Sequence, residues 1–254
     1  MFPRFLVLFP VLLLNCSNPA RADESGLSDA QQSKLISELE STLKQYPKPA
    51  PDTVNATQIH SRRGDTLFFL GRFSEAVTEY EAMVTADPSL DASHWRLGIA
   101  YFFADQPIQA AAQFDKYHSF DQVDRENGIW RYLSHYKARG ADEARKELLR
   151  YEKDDREPFP AVYRLFDGSM TPQQALDMIG DDLPSDERDK RLFYTELYIG
   201  MHQVVQGQPA KAMTHLRRAT SRQWPRRAGF GPAYMWHVGR VQLNMLHDTP
   251  ATQK

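Results

Sequence analysis

The chain has 254 residues, 41% of them apolar and 25% charged, a composition typical of a globular protein with a substantial core. Its 31 Lys and Arg against 33 Asp and Glu give a formal net charge of -2, which argues against a broad surface for nucleic acid. The single cysteine, Cys16, excludes a disulfide within this chain.

Residues 1–22 are predicted to be a cleaved signal peptide. Arg4 precedes an apolar segment at residues 5–14, and the leader ends in the small-x-small triplet Ala20-Arg21-Ala22. We therefore expect export, cleavage before Asp23 and a mature protein in the periplasm. No later apolar run approaches the roughly 20 residues that a membrane-spanning helix needs.

A second interpretation of the same leader is a lipoprotein signal. In that case Leu13-Leu14-Asn15-Cys16 is the recognition sequence, and a lipidated Cys16 anchors the protein to the outer membrane, facing the periplasm. Asn15 is atypical, because the residue before the lipidated cysteine is usually Gly, Ala or Ser. Both kinds of processing stay open at this point.

Residues 23–52 are predicted to form an N-terminal helix and a proline-rich linker. Ser28 and Gln31 have the spacing of a capping box, and apolar residues then recur every four positions up to Leu43. We expect this helix to end near Tyr46, because the prolines at residues 47–51 cannot continue it. The helix either packs on the rest of the chain or acts as a swapped, dimerising arm.

Residues 53–246 are predicted to be a helical repeat domain that begins with two repeats, 57–90 and 91–124. At a shift of 34 residues, small residues coincide, Gly64 with Gly98 and Ala76 with Ala110. The two helices of a hairpin approach closely where such small residues lie. Further coincidences pair His60 with His94, Phe68-Phe69 with Phe102-Phe103, and Tyr80 with Phe114. The pattern resembles the tetratricopeptide family.

The rest of the domain is predicted to be less regular until a late repeat at 193–226. That repeat is indicated by Gly200, Gly207, Ala212 and Leu216, which keep the mutual offsets of Gly64, Gly71, Ala76 and Tyr80. Before it we expect a degenerate hairpin at 125–151, with helices at 129–138 and 142–151 broken by Gly140, and a short hairpin at 158–180 whose second helix is capped by Thr171. A capping helix at 232–246 would cover the open end of the array, and 247–254 would be a tail.

This order of parts resembles the new lipoprotein I family of bacterial envelope adaptors. The similarity rests on Trp130-Arg131-Tyr132-Leu133, on residues 162–168, and on Phe193-Tyr194 at the entry to the late repeat. The resemblance implies a homodimer that docks envelope proteases and peptidoglycan-remodelling enzymes. The chain departs from the family at Asn15, which puts membrane anchorage in doubt.

The motifs of common catalytic and metal sites are missing from the sequence. The histidines have no metal-ligand spacing, no glycine-rich loop carries the lysine of a phosphate-binding loop, and Ser169 is not in a Gly-x-Ser-x-Gly motif. The acidic pairs Asp181-Asp182 and Asp186-Glu187 are predicted to lie in a solvated connection. We therefore predict no enzymatic activity, no catalytic or metal-binding residue and no cofactor.

The first candidate surface is the inner face of the array, where exposed aromatic side chains beside charges would suit an extended peptide or a partner helix. Its predicted partner-binding residues are Arg62, Asp65, Phe69, Trp95, Arg96, Ile99 and Phe103. For Phe69 and Phe103, packing between neighbouring repeats is an equal alternative. Capture of a C-terminal carboxylate is not expected, because Ser61 and Asp65 replace the Lys and Asn that such domains use.

The second candidate surface is a basic run at the end of the late repeat. It consists of Arg217, Arg218, Arg222, Arg226 and Arg227. These residues could receive an acidic partner segment, anionic lipid or glycan, or they could be a solvated helix end that favours the helix dipole.

We predict from these features an exported adaptor of the bacterial cell envelope that binds proteins or extended peptides through its concave surface. The first alternative is a structural envelope protein that binds cell-wall glycan or an anionic surface through the basic run. The second is an enzyme with a site outside known motifs, for which the sequence offers no constellation. Nucleic acid is not an expected partner, and the membrane is expected only through a lipid anchor.

Overall fold

The computed structural model describes residues 27–50, 53–153 and 155–248. The leader with Cys16 and residues 249–254 lie outside these ranges, so the two kinds of leader processing stay predictions. Within the described ranges 74% of the residues are helical and no strand is present. The predicted all-α class is confirmed.

Thirteen α-helices build the part of the chain that the structure describes. They are α1 (Asp29–Gln45), α2 (Ala56–Phe69), α3 (Phe73–Ala86), α4 (Trp95–Phe103), α5 (Pro107–Phe120), α6 (Arg125–Arg139), α7 (Ala141–Lys146), α8 (Phe159–Phe166), α9 (Pro172–Asp177), α10 (Ser185–Val205), α11 (Pro209–Thr220), α12 (Trp224–Arg227) and α13 (Phe230–Asp248). A 3-10 turn, Pro88–Leu90, follows α3.

Side-chain caps set the beginnings of α1 and α9, as the sequence predicts. The Ser28 amide donates to Gln31 Oε1 at 2.8 Å, and the Gln31 amide donates to Ser28 Oγ at 3.3 Å. Thr171 makes the same reciprocal pair with Gln174, and Pro172 occupies the first turn, where its missing amide hydrogen is not needed. Both predicted caps are confirmed.

Helix α10 begins earlier than the sequence analysis predicts. It starts at Ser185, so the acidic pair Asp186-Glu187 lies in its first turn and not in a solvated connection. Carboxylates in the first turn of a helix interact favourably with the helix dipole, and Glu187 also accepts from Arg191 Nε at 2.8 Å, one turn later. The connection therefore ends at Pro184.

Helix α7 is shorter than predicted. The break at Gly140 is confirmed, with a φ of 88°, but the second helix ends at Lys146 instead of Tyr151. Tyr151 turns towards α6, where its hydroxyl donates to the Asp124 carbonyl at 3.1 Å. Its ring also lies against Gly128, so no side chain fits there. This tertiary contact takes the place of another helical turn.

Three helix pairs are closely packed at a glycine, as predicted. An added Cβ at Gly98 of α4 would lie 2.7 Å from the Phe114 ring of α5, and one at Gly200 of α10 would lie 2.8 Å from Leu216 of α11. An added Cβ at Gly64 of α2 would likewise overlap the Tyr80 ring of α3. The aromatic or leucine side chain fills the space that the glycine leaves, and these side chains are fully buried or nearly so.

The last helix, α13, contacts helices from both ends of the described part of the chain. It packs on α11 and α12, and it also contacts α2, the first helix of the first hairpin. Helix α13 therefore joins the hairpin α10–α11 to the hairpin α2–α3, and it does more than cover one end of the chain's helices. Buried Tyr234 makes this contact, stacking on Phe68 with ring centroids 5.2 Å apart.

Helix α1 packs on α2 of the same chain. Leu35 and Leu43 of its apolar stripe lie against the core, and Arg63 of α2 donates to the Tyr46 carbonyl at 2.6 Å just after α1 ends. None of its residues is fully buried. The stripe therefore has a partner surface within the chain, and a swapped arm is not needed to cover it.

Candidate functional site

A cavity of about 340 Å³, here called the central cleft, opens between α4, α6, α10, α12 and α13. Its walls are rich in aromatic residues: Trp95, Tyr117, Trp130, Tyr194 and Trp224. The volume is at the lower end of the range for ligand pockets, about 300–1,000 Å³. The cleft therefore suits one or two side chains of a partner segment.

Each tryptophan of the cleft is held by neighbouring rings. Trp95 at the start of α4 meets the Tyr234 ring edge to face at 4.9 Å, and Trp224 of α12 meets the Tyr194 ring of α10 at 6.1 Å. Trp130 is 1% exposed, and its Nε1 donates to the Tyr198 hydroxyl at 3.1 Å. Trp95 and Trp224 are half-buried and present apolar surface to the cavity, whereas Trp130 supports the wall from behind.

A compact charged group lies at one side of the cleft, around Arg156. The Arg156 guanidinium donates to Glu126 Oε2 at 2.5 Å and to Asp124 Oδ1 at 3.3 Å, and it also donates to Asp155. Tyr198 donates its hydroxyl to Glu126 Oε1 at 2.5 Å. One arginine thus holds three carboxylates, and the group keeps an excess of negative charge when all of them are ionised.

Burial governs the protonation of these carboxylates. Desolvation raises the pKa of Glu126 to about 7, with the nearby Asp124 adding to the rise and the Arg156 charge opposing it. Burial likewise raises the pKa of Asp124, again against the Arg156 charge. The charge at the side of the cleft therefore changes near neutral pH.

We expect the Glu126→Gln variant to gain stability relative to the wild type as the pH rises from 5 to 8. A carboxyl whose pKa is raised by folding binds its proton more tightly in the folded state, so its protonation stabilises the fold. For Glu126 this stabilisation is largest below the unfolded pKa of 4.5 and is lost as the pH rises through about 7. The difference in the free energy of unfolding between the variant and the wild type should rise by about 2 kcal/mol from pH 5 to pH 8. Urea unfolding at both pH values measures it.

The control for this experiment is Glu157→Gln, which makes the same replacement of a carboxyl by an amide in the same cleft. The Glu157 carboxylate is 47% exposed and pairs with Arg191 at 3.5 Å, so solvent screens its interactions. Its variant should differ from the wild type by less than about 0.5 kcal/mol at either pH. An equal gain in both variants would contradict the assignment of the pH effect to Glu126.

The residues predicted for the inner face are only partly accessible. Asp65, Ile99 and Phe103 are buried, Phe69, Trp95 and Arg96 are half-buried, and Arg62 alone is exposed. Helix α13 covers much of this surface: His237 stacks on the Phe69 ring at 3.8 Å, and the Arg96 guanidinium lies over the Phe230 ring at 5.3 Å. Of the predicted set, Trp95 and Ile99 line the central cleft.

Asp65 and Arg96 belong to a buried network between α2, α3, α4 and α13. Arg96 donates to Asp65 Oδ1 at 2.6 Å, Tyr80 donates its hydroxyl to the same oxygen at 2.7 Å, and the Tyr80 and Tyr234 hydroxyls lie 3.3 Å apart. Burial raises the pKa of Asp65, and the Arg96 charge and the Tyr80 hydrogen bond oppose the rise. The arrangement is that of a structural ion pair.

The basic run is largely paired with acids of α10. Arg222 lies 2.7 Å from Asp189, Arg227 lies 2.5 Å from Asp186, and Arg218 lies 3.6 Å from Glu196. The Arg226 guanidinium lies over the Trp236 ring of α13 at 5.0 Å, and Arg217 is half-buried. The run therefore ties α10, α11 and α13 together and presents less free positive charge than its sequence suggests.

His60 and His94, which coincide at the 34-residue shift, serve packing and hydrogen bonding. His60 Nδ1 lies 2.7 Å from Glu79 Oε2, and His94 Nδ1 accepts from the Leu97 amide at 3.2 Å at the start of α4. Burial lowers the pKa of His94 to about 3, so this ring is neutral at neutral pH. In the described ranges no group of three His, Cys, Asp or Glu side chains is arranged to hold a metal ion.

Sequence reasoning missed most of the central cleft. The missed residues include Tyr117, Asp124, Glu126, Trp130, Arg156, Lys190, Tyr194 and Trp224. Trp130 and Tyr194 lie in segments that carried the family resemblance, and Trp224 lies within the basic run, but nothing in their spacing shows that they share a cavity. The one available signal was composition, because three of the four tryptophans of the chain line the cleft.

No protein-family profile matches the chain, and no characterised protein matches it. Of the described helices, none is both long enough and apolar enough to cross a membrane.

Proposed function

We propose that the protein is an exported adaptor of the bacterial cell envelope that receives an extended segment of a partner protein in the central cleft. The observation that carries the proposal is the cleft itself, which exposes the half-buried Trp95 and Trp224 beside charged groups. Partly exposed tryptophans with arginine and carboxylate neighbours are typical of sites that dominate protein binding.

We interpret the packing as a tetratricopeptide-type array on the grounds of recurring geometry. The pairs Gly64 with Tyr80, Gly98 with Phe114, and Gly200 with Leu216 have the same separation and the same close contact. The backbone between the paired helices also repeats, since Gly71, Asp105 and Gly207 all have positive φ values, at 79°, 60° and 68°. Recurring close contacts and turns support a common repeat unit.

The partner segment that fits best presents an aromatic or aliphatic side chain. The walls are rich in tryptophan and tyrosine, which bind apolar groups and leave their polar edges for hydrogen bonds. The limited volume favours one or two inserted side chains over a whole helix. The charged groups Lys190, Arg156, Glu126 and Glu157, which also line the cleft, can orient the backbone of such a segment.

Substitution of the two accessible tryptophans tests the proposal. We expect Trp95→Ala and Trp224→Ala each to weaken binding of a purified partner at least about tenfold, which is 1.4 kcal/mol or more. Partners would be isolated from envelope extract by crosslinking and then measured by calorimetry. Met178→Ala is the matched control, because Met178 is 57% exposed and does not line the cleft. Unchanged affinity in both tryptophan variants would remove the cleft from the proposal.

The alternative function, binding of cell-wall glycan or an anionic surface through the basic run, is less favoured. Three of its five arginines are engaged with Asp186, Asp189 and Glu196 of α10, and Arg226 lies over Trp236. If glycan binding were the function, charge reversal at Arg226 and Arg227 would abolish sedimentation with cell wall, whereas the adaptor function predicts little change.

Export and anchorage are part of the proposal and rest on the leader sequence. The mass of the mature N-terminus distinguishes the two forms: a start at Asp23 corresponds to a protein without a lipid anchor, and a lipidated Cys16 corresponds to an outer-membrane lipoprotein.

A further inference from the structure

A second cavity of about 570 Å³, here called the arginine pocket, lies where α6, α7 and α8 meet the segment at residues 147–151. Of the described residues that line it, four are arginines and one, Asp167, is acidic. The arginines are Arg125, Arg145, Arg150 and Arg164. This concentration of positive charge is unusual in a chain whose formal net charge is -2.

Two tyrosines give the pocket a fixed shape. The rings of Tyr151 and Tyr163 meet edge to face with centroids 5.2 Å apart. Both hydroxyls are tied to the backbone, since Tyr163 donates to the Leu149 carbonyl at 2.8 Å and Tyr151 donates to the Asp124 carbonyl. Arg125, 7% exposed, lies over the Tyr151 ring at 5.1 Å and donates to the Lys153 carbonyl at 2.6 Å. The walls are therefore preorganised.

Arg145, Arg150 and Arg164 have little pairing with the carboxylates of the described ranges. Within the described ranges no carboxylate pairs with Arg150 or Arg164, although Arg164 Nε donates to Ser169 Oγ at 3.3 Å. Arg145 has a long contact of 3.7 Å with Asp142, whose side chain is 99% exposed. Asp167 already accepts from the Ser169 amide at 2.7 Å. The basic run differs, because three of its arginines lie against carboxylates of α10.

We infer that the arginine pocket binds an oxyanion that carries at least two negative charges, of the phosphate-ester class. Like charges held together repel one another, and a bound anion relieves that repulsion. The planar guanidinium donates two parallel hydrogen bonds to phosphate oxygens, and exposed arginines can turn towards a ligand. A concave pocket with tyrosine walls fits a discrete group better than it fits a flat lipid surface. This inference does not depend on the adaptor function.

The test is a calorimetric titration of the full chain with inorganic pyrophosphate at about 50 mM salt, where charge interactions are weakly screened. The pocket variant is Arg150→Glu combined with Arg164→Glu, and both side chains are exposed. The control, Arg139→Glu combined with Lys211→Glu, makes the same change of net charge at exposed positions outside the pocket. We expect the pocket variant to bind at least about tenfold more weakly and the control to stay within about twofold of the wild type.

Three results would overturn the inference: no binding of pyrophosphate to the wild type up to about 10 mM, an equal loss in the pocket and control variants, or binding to vesicles of anionic phospholipid without any binding of pyrophosphate. If the double variant does not fold, the single variant Arg164→Gln is titrated in its place, with an expected loss of about threefold. Vesicle binding that pyrophosphate competes away would support the inference and identify a lipid headgroup as the source of the phosphate.

Discussion

Replacing Arg96 with alanine is expected to destabilise the folded protein by about 3–5 kcal/mol, because removal of one partner leaves the other charge buried and unpaired. The side chains of Arg96 and Asp65 are 14% and 11% exposed, and their ion pair measures 2.6 Å. Without Arg96, the Asp65 carboxylate keeps the Tyr80 hydroxyl but has lost the cation that opposes its desolvation. Urea unfolding at pH 7 measures the loss.

The pH dependence of this loss distinguishes a charge effect from a packing effect. Burial already raises the pKa of Asp65, and loss of the Arg96 charge raises it further, so the protonated form is favoured in the folded variant. At pH 7 unfolding releases the proton that Asp65 holds in the folded variant, and this release favours the unfolded state. The destabilisation should therefore be smaller at pH 4.5 than at pH 7. A loss that is the same at both pH values would contradict the ion-pair explanation.

Arg62→Ala is the matched control for Arg96→Ala. Arg62 is exposed, and its guanidinium lies 5.8 Å from the centroid of the Tyr46 ring. Its removal should cost less than about 0.5 kcal/mol. The comparison matters for function, because both arginines were predicted to bind a partner. A binding defect in Arg96→Ala would reflect partial unfolding, which is why the proposed binding test uses Trp95 and Trp224.

Tyr234→Ala is expected to destabilise the protein by about 3–5 kcal/mol, the usual range for truncation of a buried aromatic residue. Tyr234 is 0% exposed and joins α13 to the first two hairpins. Its ring lies 5.2 Å from Phe68, 5.2 Å from Phe69 and 4.9 Å from Trp95. Alanine would leave a cavity where these helices meet, and urea unfolding measures the cost.

Two further variants separate the contributions of Tyr234. Tyr234→Phe keeps the ring and removes only the hydroxyl contact with Tyr80, so it should cost no more than about 1.5 kcal/mol. Phe230→Ala truncates a ring one turn earlier in α13 that is 55% exposed, and it should cost less than about 1 kcal/mol. Equal small losses in all three variants would show that α13 does not bind the first hairpin firmly in solution.

The local sequence was sufficient to predict the helices and the closest contacts within hairpins. Ser28 and Thr171 cap helices because their hydroxyls reach amides three residues later, which is a property of a few neighbouring residues. Gly64 and Gly98 mark close helix approach because the distance along the chain to Tyr80 and Phe114 is short and fixed. Errors arose where tertiary contacts compete with propensity, as at the end of α7.

The candidate site was much harder to predict. Trp95 and Ile99 were identified because they lie on the face of α4 that a hairpin turns inward. Glu126, Tyr194 and Trp224 come from three other helices, and no spacing rule connects them to α4. The raised pKa of Glu126 is also a property of its surroundings, since it depends on burial and on Arg156, thirty residues further along the chain.

By itself the sequence determined the all-helical class, the capped beginnings of α1 and α9, and the glycine contacts within hairpins, because each depends on residues close together in the chain. Only the tertiary structure decided which surfaces stay accessible. Helix α13 packs across the inner face from a position far along the chain, which buries part of the predicted partner-binding set and leaves the central cleft beside Trp95. The same long-range packing pairs three arginines of the basic run with α10 and leaves Arg150 and Arg164 without such a partner among the described residues. Burial and charge compensation depend on which distant helices meet.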